Sequence, residues 1–187
     1  MRSLVLAGGL STRMGQDKAL LDYGGEPHVL RIVRLLEHVA PPVYVSVRKG
    51  QTADSAFSGL RLLPDQEEGI GPMAGLLSAF REDATSPWLV VAVDLPHVSE
   101  ETLRLLVEHR DPSVCATAFR NPEIGQPEPV CAIYEPRILP VLLNAAAQGR
   151  YTLKFLRDVP VCLVDPANPR ELSNVNSPEE YRRAREE

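Results

Sequence analysis

Residues 4–21 read LVLAGGLSTRMGQDKALL, and this stretch decides the fold. The apolar residues 3–7 predict a short buried strand, which stops at Gly8 and Gly9. Glycine lets the backbone come close to a ligand because it carries no side chain. Successive free N–H groups in such a loop form a concave site for an anion. The stretch therefore predicts a strand that ends in a phosphate-binding loop.

Two cations in the same stretch, Arg13 and Lys18, favour a nucleotide phosphate site over a plain turn with solvated side chains. Arginine can grip phosphate oxygens through two N–H groups, and lysine adds a mobile point charge. Two better-known phosphate loops do not fit these residues. The P-loop requires a glycine directly before its lysine, and the dinucleotide fingerprint requires G-x-G-x-x-G. No glycine precedes Lys18 directly, and the glycines of this loop lack the fingerprint's spacing.

Length and composition indicate a globular chain. It has 187 residues, of which 44% are hydrophobic and 24% charged, so we expect one domain over residues 1–187. The net charge of −5 argues against nucleic acid as a partner, because polyanion-binding proteins are normally basic over their surface. The apolar stretches are too short for a signal peptide or a membrane span, so the expected location is the cytoplasm, with no membrane partner.

The cysteines and histidines do not show the spacing of a metal site. Cys115, Cys131 and Cys162 each lie in an apolar run, and we expect buried thiols rather than disulfides or zinc ligands. The four histidines lack H-E-x-x-H and any other ligand spacing, and we expect them at the surface or partly buried.

Strand and helix patterns alternate along the chain, which predicts an α/β fold with a mostly parallel sheet. Helices on both faces would make it a three-layer, Rossmann-like arrangement. The strands are expected at residues 3–7, 43–47, 60–64, 88–93, 114–118, 129–134 and 161–164. The helices are expected at 27–39, from 72, after 99, at 136–148, at 151–158 and from 178.

The polar residues that follow the predicted strands indicate where a ligand would lie. In sheets of this type, ligands bind beyond the carboxyl ends of the strands. Gly8, Asp65 and Asp94 each come just after a predicted strand, so we expect them at one crevice. Asp94 follows an almost wholly apolar run, typical of a central strand buried on both faces. Mg²⁺ prefers one or two carboxylates with phosphate oxygens and waters, so Asp94 is the candidate metal ligand; a turn or capping aspartate is the alternative.

Four segments resemble one known family of nucleotidyltransferases, which join a nucleoside triphosphate to a phosphorylated acceptor. Residues 6–18 fit the pattern L-A-G-G-x-x-x-R-M-G-x-x-K, which is most similar to the molybdenum cofactor guanylyltransferase (MobA) family. The other segments are LPD at 63–65 with GPMAGL at 71–76, VDLPH at 93–97, and NVNSPEE at 174–180. The resemblance covers nearly the whole chain and implies the Rossmann-like fold of that family.

The resemblance also implies an enzyme. It would transfer GMP from GTP to the terminal phosphate of molybdenum-molybdopterin and release pyrophosphate. The substrates would be GTP and molybdopterin, and the cofactor would be Mg²⁺. Molybdenum-insertion and molybdoenzyme-maturation proteins are the protein partners that such a role implies.

Residue roles follow from the same resemblance. Arg13, Lys18 and Asp94 would be catalytic, with the two cations on the leaving phosphates and the aspartate on the metal. The residues expected at the nucleotide are Leu6, Ala7, Gly8, Gly9, Lys18, Ser46, Asp65, Gly75 and Asp94.

The acceptor side is less well marked. Asn174 and Asn176 would lie at the active site by resemblance, although asparagines also shape turns before a helix. Arg150 and Lys154 are weaker candidates for the acceptor phosphate, and an ordinary charged helix face explains them better.

One departure leaves the choice of base open. Ser46 stands where guanylyltransferase relatives often carry asparagine. The alternatives are therefore a CTP-dependent molybdopterin cytidylyltransferase, a sugar-phosphate nucleotidylyltransferase, or a nucleotide-binding module that delivers cofactor without catalysis. Heat protection by different triphosphates separates the first two from GTP chemistry, and pyrophosphate release separates an enzyme from a module.

Overall fold

The computed structural model describes residues 1–9, 15–51, 55–67 and 69–186, and their strands form one seven-stranded sheet. The strands are β1 (Arg2–Leu6), β2 (Val43–Val47), β3 (Leu62–Pro64), β4 (Trp88–Ala92), β5 (Ala116–Arg120), β6 (Pro127–Tyr134) and β7 (Val161–Val164). Their order across the sheet is β3-β2-β1-β4-β6-β5-β7. Only β6 runs antiparallel to its neighbours, so the predicted mostly parallel sheet is confirmed.

Five α-helices lie within the described residues. They are α1 (His28–Val39), α2 (Pro72–Glu82), α3 (Glu100–Glu108), α4 (Leu139–Ala147) and α5 (Pro178–Glu186). Ser99 caps α3, because its hydroxyl accepts the backbone N–H of Thr102 at 3.1 Å. Short 3₁₀ helices occupy Lys18–Leu20, Ser55–Phe57, Pro136–Ile138, Leu153–Asp158 and Pro169–Leu172.

Two nonpolar cores, one on each face of the sheet, give the predicted three layers. Side chains alternate along a strand, so neighbours in β1 such as Leu4 and Val5 enter opposite cores. One core packs against α1 and α3, and the other against α2 and α4. Every residue of β4 is buried, as its apolar run predicts. The helices packed on both faces hold the strands in place, so the carboxyl ends of the parallel strands lie at one fixed edge of the sheet.

Some predicted boundaries and exposures are wrong. The helix expected at 136–148 is a 3₁₀ turn followed by α4, which carries a proline, Pro140, in its first turn. Cys115 and Cys162 are partly exposed rather than buried, since they lie at or near the sheet edge formed by β7. His28 is fully buried, contrary to the expectation for histidines. None of the described helices is long and apolar enough to cross a membrane. The single domain and the cytoplasmic location stay predictions.

The central parallel strands end at the same edge of the sheet. Leu6 of β1 lies in register with Ser46 of β2 on one side and with Ala92 of β4 on the other. The loops that follow these strands therefore start side by side. The antiparallel strand β6 begins near this edge and contributes Val130 to it.

Candidate active site

A cleft of about 960 Å³ opens at this carboxyl edge. Its lining includes each residue expected at the nucleotide, together with Asn176 from the expected acceptor side and several residues that the sequence did not indicate. The expected residues are Leu6, Ala7, Gly8, Gly9, Lys18, Ser46, Asp65, Gly75 and Asp94, and the others include Arg48, Lys49, Glu67, Val130 and Asn176. Arg13 lies outside the described residues, so its role stays a prediction.

The floor of the cleft depends on two glycines that admit close neighbours. A Cβ atom on Gly8 would overlap Oδ2 of Asp65. A Cβ atom on Gly75 would lie 2.5 Å from Oγ of Ser46 and 2.6 Å from Cδ2 of Leu6. Gly75 thus lets the first turns of α2 rest directly on the ends of β1 and β2. We call Gly8, Ser46, Asp65 and Gly75 the floor.

A buried hydrogen bond fixes the polar group of this floor. The Ser46 hydroxyl donates to Oδ1 of Asp65 at 2.7 Å, and both residues are buried. Burial raises the pKa of Asp65, while the Ser46 hydroxyl lowers it and nearby Glu67 raises it further. Because a carboxylate can accept several hydrogen bonds, the Asp65 carboxylate remains an acceptor for an N–H group on a ligand.

A second group of side chains, Lys18, Asp94 and Asn176, lies along the rim of the cleft. Nζ of Lys18 donates to Oδ1 of Asn176 at 2.6 Å and lies 3.9 Å from Oδ2 of Asp94. The backbone N–H of Val175 donates to the carbonyl of Asp94 at 2.8 Å, which ties the segment before α5 to the end of β4. We call these three residues the rim.

Asp94 has the electrostatics of a cation ligand. Its Oδ1 atom is buried and has no hydrogen-bond partner among the described residues. Burial raises the pKa of Asp94, and the Lys18 ammonium opposes that rise. An unpaired buried carboxylate oxygen is costly, so a cation beside it would be favourable. The described residues contain no group of three or more His, Cys, Asp or Glu side chains placed to hold a metal by themselves.

Glu128 at the start of β6 adds a buried carboxylate near the rim. Its pKa is raised by burial, and the charge of Asp94 contributes to that rise. Nδ2 of Asn121 donates to its Oε2 at 2.8 Å. The sequence places Glu128 directly before the strand expected at 129–134, but the proximity to Asp94 depends on the antiparallel pairing with β4.

Side chains after β2 brace the loop that follows β1, and sequence reasoning missed them. Nη1 of Arg48 donates to the carbonyl of Gly9 at 2.9 Å, and Nη2 to Oδ2 of Asp17 at 3.0 Å. Nε2 of Gln51 donates to the carbonyl of Ala7 at 2.8 Å and to the same Asp17 oxygen at 2.9 Å. Asp17 caps the 3₁₀ helix that begins at Lys18. We call Arg48, Gln51 and Asp17 the brace. The brace fixes the backbone where Lys18 begins the 3₁₀ helix, although no sequence pattern linked these positions.

The residues predicted for the acceptor are only partly brought together. Asn176 lines the cleft and bonds to Lys18, whereas Asn174 is exposed and does not line it. Arg150 and Lys154 are exposed on the chain between α4 and β7 and do not line the cleft either. Acceptor binding by these three residues stays a prediction.

Comparison with known proteins places this geometry among nucleotidyltransferases. The family profile described as MobA-like NTP transferase domain matches residues 3–161. A molybdenum cofactor biosynthesis bifunctional protein from Synechocystis is 35% identical over 179 residues, which cover 95% of this chain and 52% of that protein. The chain thus spans about half the length of that relative. A molybdenum cofactor guanylyltransferase from Pseudomonas putida is 35% identical over 181 residues, 94% of this chain and 93% of the relative.

Experimental structures share the fold at lower identity. The molybdopterin-guanine dinucleotide biosynthesis protein A from Archaeoglobus fulgidus superposes with a TM-score of 0.82 at 23% identity, covering 100% of this chain and 97% of that one. The 2-C-methyl-D-erythritol 4-phosphate cytidylyltransferase from Thermus thermophilus gives a TM-score of 0.70 at 19% identity, covering 100% and 98%. These two likenesses confirm the Rossmann-like nucleotidyltransferase fold.

Proposed function

The chain belongs to the family of MobA-like NTP transferase domains, and on that premise we propose the reaction that it catalyses. This nucleotidyltransferase of molybdenum cofactor biosynthesis transfers GMP from GTP to the terminal phosphate of molybdenum-molybdopterin and releases pyrophosphate. The observation that carries the proposal is the rim, where the Lys18 ammonium, the Asp94 carboxylate and the Asn176 carboxamide converge on one cleft.

The rim suits phosphoryl chemistry because the acceptor phosphate is itself the nucleophile. Such transfer depends on alignment and on neutralising charge rather than on a protein base. Lys18 is already oriented by Asn176 and stands beside Asp94, so its positive charge faces the place where leaving phosphates would collect. Backbone N–H groups of the loop at Gly8 and Gly9 would bind the same phosphates.

The rim also fits a divalent cation, which we take to be Mg²⁺. The buried Oδ1 of Asp94, which no described residue contacts by a hydrogen bond, is a ready ligand, and Mg²⁺ commonly uses one or two carboxylates with substrate oxygens and waters. When bound, the metal would neutralise charge on the phosphates. Lys18 would hold a phosphate oxygen close to that carboxylate, and Asn176 would keep the ammonium in place.

The floor would hold the nucleoside. The Asp65 carboxylate already accepts from Ser46 and offers further acceptor positions to the N–H edge of a base. Guanine carries an N–H₂ group that a carboxylate can bind, and cytosine carries one as well. Asp65 alone therefore does not exclude CTP, and GTP is proposed on the strength of the guanylyltransferase relatives.

The protein partners and the location follow from the same proposal. A product that carries molybdenum must pass to other proteins, so molybdenum-insertion and molybdoenzyme-maturation proteins are the proposed partners. The cytoplasm is the proposed site of the reaction.

A panel of triphosphates tests the proposed function. GTP, CTP and ATP are compared for heat protection with and without Mg²⁺, because a ligand at about 100 times its Kd stabilises by about 2.7 kcal/mol. Pyrophosphate release is then measured with molybdopterin present or absent. We expect the largest protection from GTP with Mg²⁺, and release only with the acceptor. Stronger protection by CTP would assign the cytidylyl reaction, and protection without release would leave a binding module.

A further inference from the structure

The segment from Asn174 to Tyr181 connects the rim to a helix with few means of docking. The sequence of α5 is PEEYRRARE, in which Tyr181 is the only large nonpolar side chain. Its charged neighbours are exposed, whereas Tyr181 is partly buried. Since nonpolar contact is the main source of docking energy for a surface helix, Tyr181 dominates the attachment of α5.

Tyr181 is held by two contacts with the loop before α1. Its hydroxyl donates to the carbonyl of Asp22 at 2.8 Å. Its ring meets the ring of Tyr23 edge to face, with centroids 5.1 Å apart. Tyr23 in turn meets the ring of His28 at 4.7 Å, and His28 is fully buried at the start of α1. The rings of Tyr181, Tyr23 and His28 thus form a continuous edge-to-face series from α5 into the core, which we call the aromatic stack.

His28, the innermost ring of the aromatic stack, is held by the core around it. Burial lowers the pKa of His28 to about 3, so its ring is neutral at pH 7 and can pack as an aromatic side chain inside the protein. Burial also raises the pKa of Tyr23, and the charges of Tyr181 and Asp94 contribute to that rise. The stack therefore lies close to the rim as well as to the core.

At the other end, α5 fixes the conformation of Asn176. The Glu180 carboxylate accepts the backbone N–H of Asn176 at 2.6 Å and that of Ser177 at 3.1 Å, which is a capping arrangement. The Asn176 carboxamide then accepts from Lys18 at 2.6 Å. A displacement of α5 would therefore move Asn176 and release the lysine from its hydrogen bond.

We propose that Tyr181 is a positioning residue that acts through Asn176 on Lys18. The inference rests on the proposed function, because it assigns Lys18 to the phosphates. Tyr181 itself is not among the residues that line the cleft. Its ring and hydroxyl hold α5 against the core, and the start of α5 holds the carboxamide that orients the ammonium.

Kinetics of three variants test the chain of contacts. We expect Tyr181→Ala to lower kcat about tenfold with little change in the KM for GTP, since a misplacement of about 1 Å can cost up to about 10²-fold. Tyr181→Phe keeps the ring and should restore kcat to within about threefold of the parent, because it loses one hydrogen bond. Arg183→Ala, on an exposed position of the same helix, is the matched control and should match the parent.

The double variant Tyr181→Ala/Asn176→Ala separates positioning from general destabilisation. If Tyr181 acts through Asn176, the double variant should be no slower than Asn176→Ala alone, because residues that act as a unit are not additive. Multiplied effects would overturn the proposal. Should Tyr181→Ala fail to fold, Tyr181→Leu replaces it in every arm, since leucine keeps nonpolar bulk without the hydroxyl or the ring.

Hydrogen exchange on the substrate-free protein gives a readout that does not depend on activity. We expect the backbone N–H groups of Val175 and Asn176 to exchange faster in Tyr181→Ala than in the parent or in Arg183→Ala, while β4 stays unchanged. Unchanged exchange at these two positions would overturn the positioning role even if the enzyme transfers GMP. Faster exchange in a protein that transfers no nucleotide would instead count against the proposed function alone.

Discussion

The floor and the rim of the cleft are built in different ways. The floor depends on the absence of side chains: Gly8 and Gly75 admit Asp65 and Ser46 at distances that any Cβ atom would block. The rim depends on long side chains that hold one another, with Lys18 bridging Asn176 and Asp94 from separate parts of the chain. The comparison teaches that shape fixes the nucleotide pocket, whereas hydrogen bonds between distant segments place the charges.

Because of this difference, substitutions in the rim and in the floor should affect different properties of the protein. Changes to the rim should lower turnover and leave the fold intact, because the side chains there contribute charge rather than packing. Changes to the floor should alter stability or nucleotide binding, because the sheet and α2 meet there.

The largest effect is expected for Asp94→Asn. The amide has nearly the same shape, so β4 should pack as before, but it lacks the charge that a hard cation prefers. We expect turnover to fall about 10³-fold, which corresponds to about 4 kcal/mol in the barrier, with GTP binding partly kept. Initial rates of pyrophosphate release measure the loss. Asp165→Asn, at an exposed position paired with Arg120, is the control and should be unaffected.

Lys18→Ala should come next. Removing one preorganised charge stabiliser usually costs about 10²–10³-fold in turnover. Since the ammonium also donates to Asn176, a small rise in the KM for GTP is expected, far less than the change in kcat. Arg157→Ala, an exposed cation outside the cleft lining, serves as the control in the same assay. A parent-like rate for Lys18→Ala would show that Lys18 takes no part in the reaction.

Gly75→Ala tests the floor by its effect on stability. The new methyl group would press on Oγ of Ser46 and on Leu6, and overpacking of this kind destabilises by about 1–3 kcal/mol. Urea unfolding measures the free energy of unfolding. Gly9→Ala is the matched comparison, because a Cβ atom there meets no neighbour within 4 Å. Equal stability of the two variants would contradict the packing account.

The smallest effect is expected for Ser46→Ala, and it should be visible in pH dependence. The Ser46 hydroxyl lowers the raised pKa of Asp65, so its removal should raise that pKa further. GTP binding that needs the Asp65 carboxylate is lost as pH falls through this pKa, so the loss should begin at higher pH in the variant. One hydrogen bond of about 1 kcal/mol corresponds to a shift of up to about 1 pH unit. Binding isotherms across pH measure the shift. An unchanged pH profile would show that GTP binding does not depend on the Asp65 carboxylate.

Much of the cleft lining could be predicted from the sequence because local patterns specify it. An apolar run that stops at glycines or at an aspartate marks the end of a strand, and parallel strands place such ends together. Gly8, Asp65 and Asp94 were expected at one crevice on this basis, and the structure places all three in the cleft lining. The mostly parallel sheet follows from the same alternation of elements.

The brace and the aromatic stack could not be predicted, because they depend on pairs that are far apart in the sequence. Gln51 reaches the carbonyl of Ala7 across 44 positions, and Tyr181 reaches Asp22 across 159. A buried histidine such as His28 also gives no local signal, since its burial depends on how the rest of the chain packs around it. The sequence places Glu128 only beside the strand expected at 129–134, and its charge coupling to Asp94 appears once β6 pairs antiparallel with β4.

A titration of the initial rate with Mg²⁺ at saturating GTP tests the division between floor and rim most directly. The parent, Gly8→Ala and Asp94→Asn are measured side by side. We expect Gly8→Ala, which displaces Asp65, to raise the KM for GTP while keeping the half-saturating Mg²⁺ concentration of the parent. Asp94→Asn should need at least about tenfold more Mg²⁺ and regain only a small part of the rate, as loss of one charged ligand predicts. An unchanged Mg²⁺ requirement in Asp94→Asn, or an equal shift in Gly8→Ala, would contradict the account.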